Sequence, residues 1–171
     1  MELICLRPTT LLYFLGINMK KLIQFCSFVF IPIMGGSAFA ADLETEFINS
    51  STTFSQVATV ASNGVKTIYV SGQVGVRDGE IPDSFAEQID IVFANMAEQL
   101  AAADALMADV IKLTGFIVNL DAKRRSTYRE ARARYFSADN PPPASTVIGV
   151  SGLVIPALQV EVEAIAVVED D

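Results

Sequence analysis

Residues 160–168 read Val-Glu-Val-Glu-Ala-Ile-Ala-Val-Val. At a side-chain period of two, Val160, Val162, Ala164, Ala166 and Val168 share one face of a strand. Glu161 and Glu163 share the other with Ile165 and Val167. A sheet built on such a strand offers apolar surface on both faces, whereas a short domain carries helices enough for only one. The uncovered face then points to association with another copy of the chain, or to long loops folded across it.

The rest of the pattern fits one α+β layer of this kind. Phe54–Ala61 and Lys66–Ser71 are β-rich and meet at Ser62-Asn63-Gly64, an Asn-Gly hairpin signal. Residues 75–83 form a loop with Gly and Pro. Phe85, Ile89, Val92, Phe93, Met96 and Leu100 then recur at helical spacing, which predicts an amphipathic helix over about 84–103. Val110–Leu120 reads as a central strand, apolar on both sides. A second helix starts near Asp121 or Ser126 and ends near Tyr135-Phe136, and Asn140-Pro141-Pro142-Pro143 forces an extended loop. Ser145–Ser151 and Leu158–Val168 complete a ββαβαββ order: a mixed sheet with two helices on one face.

Residues 1–40 read as an address. Met19-Lys20-Lys21, the apolar stretch Leu22–Met34 and the end Ala38-Phe39-Ala40 have the pattern of a cleavable export signal, with translation starting at Met19 and cleavage after Ala40. An exported protein, periplasmic or secreted and without a membrane anchor after cleavage, is the expectation. Residues 41–53 read as a flexible lead-in, 54–168 as the folded domain and 169–171 as an acidic tail.

Composition narrows the chemistry. The chain has no His, and its two cysteines, Cys5 and Cys26, lie in the signal segment. Ser–His–Asp, Cys–His and His-ligated metal sites are therefore excluded. Carboxylates at these spacings form no recognised metal loop, and no cofactor motif is present. Residues 41–171 hold nine basic and nineteen acidic side chains. Together with the absence of aromatics interleaved among Lys123, Arg124, Arg125, Arg129, Arg132 and Arg134, this balance argues against nucleic acid as a partner.

The pieces Phe54-Ser55-Gln56, Tyr69-Val70-Ser71-Gly72-Gln73, Asn95 and Leu100, Asp109-Val110-Ile111-Lys112, Pro143-Ala144-Ser145-Thr146 and Glu161-Val162-Glu163-Ala164-Ile165-Ala166 follow in order. Together they resemble the RidA/YjgF family of reactive-intermediate (enamine/imine) deaminases. The resemblance implies a chorismate-mutase-like fold, a homotrimer and small-molecule clefts between subunits. It assigns water positioning to Glu161 and the pocket lining to Ser71, Gly72, Ser145 and Thr146. Phe54 stands where the family has a Tyr, and Arg129 near a family Asn. The family's carboxylate-binding Arg falls on Ser145, or on Ala144, depending on where the gap lies. A neutral hydroxyl donates a weaker hydrogen bond than a guanidinium. The sequence thus resembles an Arg-lacking branch, in which hydrolysis of 2-aminoacrylate-like imines loses its clamp. A catalytically silent ligand-binding or protein-interaction trimer is the alternative. Arg129 or Arg132 replaces the cation if it reaches the cleft; otherwise that helix face is solvated.

Overall fold

A computed structural model describes residues 42–136 and 141–170. Residues 1–40, which the sequence reads as an export signal, Asn140 of the proline run and Asp171 lie outside the described residues. In chain order the elements are β1 (Glu44–Ser50), β2 (Ser55–Ser62), β3 (Val65–Val74), α1 (Phe85–Ala101), β4 (Val110–Val118), α2 (Ala122–Ala133), β5 (Ala144–Val150) and β6 (Val160–Glu169). They form one six-stranded sheet in the order β1-β2-β3-β6-β4-β5. Only β4 and β5 run parallel; the other pairs are antiparallel, so the sheet is mixed.

The local signals act as expected. Asn63 and Gly64 both adopt positive φ (54° and 74°) and turn β2 into β3. Ser84 caps α1 by accepting from the Glu87 amide, and Asp121 caps α2 by accepting from the Arg124 amide at 2.7 Å. The β6 alternation divides the molecule: Val160, Val162, Ala164 and Ala166 are buried in the core with Ile89, Val92, Phe93 and Met96 of α1. Each large apolar side chain buried here contributes about 1.5–3 kcal/mol.

Two expectations need correction. Residues 41–53 are not a loose lead-in throughout, because β1 pairs with β2 from Glu44↔Ala61 to Ser50↔Ser55. As an edge strand in which Ile48 alone is half-buried, it needs little hydrophobic content. The acidic end is likewise tied down: Glu169 pairs with Val65, and the Asp170 amide donates to the Gly64 carbonyl at 3.0 Å.

Tyr128 of α2 is fully buried against Phe93, with ring centroids 6.0 Å apart. Its hydroxyl sits where β4 carries Gly115, whose Cβ would stand 3.0 Å from it. Among the described residues that hydroxyl makes no well-formed hydrogen bond, although Ser145 faces it, and burial pushes its pKa up. An unpartnered buried hydroxyl costs about 1–3 kcal/mol. Tyr128→Phe is therefore expected to leave stability unchanged or to raise it by up to about 1 kcal/mol. A clear fall in the urea midpoint of the variant would contradict this.

Candidate functional site

The site begins with an irregularity in the sheet. The β3–β6 ladder runs in register to Val70↔Ala164 and resumes at Gln73↔Val162. Ser71 and Gly72 therefore share the single opposing residue Glu163, a bulge that re-aims nearby side chains. Ser71 Oγ donates to the Ser55 carbonyl at 2.7 Å, and Gln73 Nε2 donates to the Ser71 carbonyl at 3.0 Å and to Gln56 Oε1 at 2.9 Å. These bonds pin the bulge to β2.

Gly72 makes room for a carboxylate. A Cβ at this position would lie 1.9 Å from Glu161 Oε1 and 2.6 Å from its Cδ. Glu161 thus leans back along the sheet and lays its carboxylate over the Gly72 backbone. It is half-buried, and its pKa is raised, first by desolvation and then by the neighbouring Glu163 carboxylate. The sign of the linkage follows: the folded state holds this proton more tightly than the unfolded chain. The resulting stabilisation is fully present below the ordinary carboxylate pKa of 4.5 and disappears as pH rises through the elevated folded value. The stability difference between wild type and Glu161→Gln should therefore shift against the wild type over that interval. Urea titrations at several pH values check this, and a pH-independent difference would contradict it.

Next to the bulge, reached through Ser71 and Glu163 though not lined by Glu161, the helix-free face of the sheet carries an open hollow of about 380 Å³. Its polar lining is Tyr69 and Ser71 of β3, Lys112 and Thr114 of β4, and Glu163 of β6. Lys112 Nζ donates to Thr146 Oγ1 on β5 at 2.5 Å. Lys112, Thr114 and Tyr69 were not legible as site residues. The stretch 110–120 reads as apolar on both sides, yet Leu113 and Ile117 are buried towards the helices while Lys112 and Thr114 alternate onto the free face. That alternation was the available signal.

The expected site residues divide accordingly. Ser71, Gly72 and Glu161 meet at the bulge, and Thr146 reaches the same face two strands away through Lys112. Phe54 is exposed just before β2, next to the carbonyl that Ser71 engages. Ser145 does not join them. It pairs with Leu113 on the helix side and faces the Tyr128 hydroxyl, because the free-face positions of β5 are Ala144 and Thr146. Arg129 is exposed on α2, beside a hollow it shares with Arg132 and Phe136, on the side of the sheet opposite Glu161. Within one chain, neither Arg129 nor Arg132 supplies a cation near the carboxylate.

A family model described as Endoribonuclease L-PSP matches residues 45–168. The chain is also 33% identical over 106 residues to the 2-iminobutanoate/2-iminopropanoate deaminase of Dermatophagoides farinae, covering 60% of this chain and 79% of that protein. The chain belongs to the L-PSP/YjgF family, which includes RidA. Another relative in this family is the RutC family protein YjgH of Escherichia coli, 33% identical over 50% of this chain and 65% of its own length. Among solved structures, E. coli TdcF with bound serine superposes with a TM-score of 0.60 at 27% identity, covering 70% of this chain and 91% of that one. The matched stretch runs from the second residue of β1 to the penultimate residue of β6, and so contains the bulge residues and Glu161 of this chain.

Proposed function

We propose that this protein is a RidA-type deaminase that hydrolyses small imines to carbonyl compounds and ammonia, with Glu161 as the group that handles the proton. The observation that carries the reading is the Glu161 carboxylate, seated over Gly72 in the bulge whose Ser71 lines the hollow, with its proton affinity raised by burial and by Glu163. A carboxylate of this kind can take a proton from water as the water oxygen bonds to the C=N carbon and the π pair moves onto nitrogen. With the imine nitrogen protonated at the outset, this leaves a neutral carbinolamine. The carboxylate then passes its proton to the carbinolamine nitrogen. As the C–N bond breaks and ammonia leaves, an oxygen lone pair forms the C=O bond, and the hydroxyl proton goes to the carboxylate and from there to solvent. Ser71 contributes the remaining lone pairs of its hydroxyl, since its proton is already committed to Ser55.

Support comes from the relative named for its action on 2-iminobutanoate and 2-iminopropanoate, and from the neighbour holding serine, a small amino acid. The hollow is open on the helix-free face, where Tyr69 (47% exposed) and Ile148 (40%) leave apolar surface uncovered. Three copies associating through these faces would close it, and residues 1–40 would direct export of the mature domain. No step in this chemistry calls for a cofactor, and the ligand is a small molecule.

Ammonia release from imines generated in situ tests the proposal. The expected result is catalysed release that depends on Glu161, from a particle whose scattering mass is three times that of the mature chain. Absence of release across a varied imine panel would leave a ligand-binding trimer instead.

A further inference from the structure

The hollow raises a question of charge: what could hold an anionic ligand beside two carboxylates. All nine basic residues of the mature chain are described, and eight of them are committed elsewhere. Lys66 stands 3.9 Å from Asp104, and Arg77 bonds Asn95 and Glu98 of α1. Arg124 bonds the Val118 carbonyl and Gln159, and Arg134 pairs with Asp90. Lys123, Arg125, Arg129 and Arg132 belong to α2. Lys112 is the remaining one, and it rises from the helix-free face into the hollow. Among the described residues it has no acidic partner within ion-pair distance; its ammonium is held by the neutral Thr146 hydroxyl.

Two side chains converge on one row of the sheet. The row Glu163–Thr114–Thr146 crosses β6, β4 and β5. Lys112 starts one pair away, opposite Ile165 and Ala144, and leans towards this row to reach Thr146. Glu161 starts one pair away on the other side, opposite Phe116 and Val74, and leans back to Gly72, which shares Glu163 across the bulge. The ammonium thus lies between β4 and β5, and the Glu161 carboxylate between β6 and β3. At about 4.8 Å per strand spacing they are on the order of 10 Å apart, with Glu163 between them.

We infer that Lys112 is a specificity-determining residue that binds a ligand carboxylate placed several carbons from the reacting C=N group. This deepens the deaminase reading and rests on it. A three-carbon imino acid is shorter than the gap between Lys112 and the Glu161 carboxylate. A six-carbon chain ending in a second carboxylate fills it, placing that carboxylate on Lys112, the C=N carbon near Glu161 and the protonated imine nitrogen beside Glu163. A charge-assisted hydrogen bond is roughly twice as strong as a neutral one, so the second carboxylate should dominate selection.

The test compares imines generated by an amino-acid oxidase from 2-aminoadipate and from norleucine, which differ in the distal carboxylate. The wild-type protein is expected to favour the adipate-derived imine in kcat/KM. Lys112→Gln should lower that ratio about tenfold or more, and Lys112→Arg should retain most of it. The ratio cancels general losses. If Lys112→Gln does not fold, Thr146→Val, which frees the ammonium, should lower the ratio by a smaller factor. An unchanged ratio in either folded variant, with hydrolysis still abolished by Glu161→Gln, overturns the inference and leaves the deaminase reading standing. If no imine is hydrolysed, the deaminase reading fails, and binding of 2-oxoadipate by calorimetry decides the role of Lys112. Binding weakened at least tenfold in Lys112→Gln supports it, whereas equal or absent binding in the wild type overturns it.

Discussion

Glu161→Gln is expected to lower kcat/KM for imine hydrolysis by about 10²–10⁴-fold, the range a positioned acid–base group contributes. Glutamine keeps the volume that rests over Gly72 and the hydrogen-bonding shape, but it can neither accept the water proton nor return it. The loss should fall on kcat more than on KM, because the substrate's own contacts are unchanged. The neighbouring carboxylate supplies a control. Glu163 raises the proton affinity of Glu161, so Glu163→Gln should shift the acid limb of the pH–rate profile to lower pH, with its loss falling on KM, through the imine nitrogen it faces, more than on kcat. Equal loss in both variants would mean that the carboxylates act as one coupled pair, and retained activity in Glu161→Gln would remove the residue from the chemistry.

Much of this molecule is readable along the chain because its elements rely on local signals. Ser84 and Asp121 cap helices, Asn63-Gly64 takes the positive φ angles of a tight turn, and the β6 alternation separates core from free face. The strand 44–50 escaped because it is an edge: with one half-buried residue it carries almost no hydrophobic pattern, and only its pairing with β2 makes it a strand. The site is less legible for a different reason. Glu161 and Gly72 are 89 residues apart, and their contact depends on a register slip between Val70 and Gln73 that no periodicity announces. Ser145 and Thr146 illustrate the same limit. A motif names both, but strand alternation sends the first to Tyr128 and the second to Lys112.

Gly72→Ala should separate activity from folding more sharply than any change at Glu161 itself. The backbone at Gly72 poses no obstacle, since its φ lies outside the left-handed region that favours glycine. The three atoms nearest the added methyl all belong to the outer end of one flexible side chain: Glu161 Oε1 at 1.9 Å, Cδ at 2.6 Å and Cγ at 2.8 Å. That end can rotate away, so the stability cost should stay near the lower limit of overpacking, about 1 kcal/mol. The carboxylate, however, loses its seat over the bulge. A displacement of about 1 Å in a reacting group can cost on the order of 10²-fold, and this one must exceed that. We therefore expect Gly72→Ala to approach Glu161→Gln in lost kcat while its urea midpoint stays near that of the wild type. In a Glu161→Ala background these three nearest atoms are gone, so the stability cost of the same methyl should shrink, a coupling that a double-mutant cycle reads directly. A Gly72→Ala protein that folds and hydrolyses imines at the wild-type rate would show that the seat of the carboxylate has no part in the reaction.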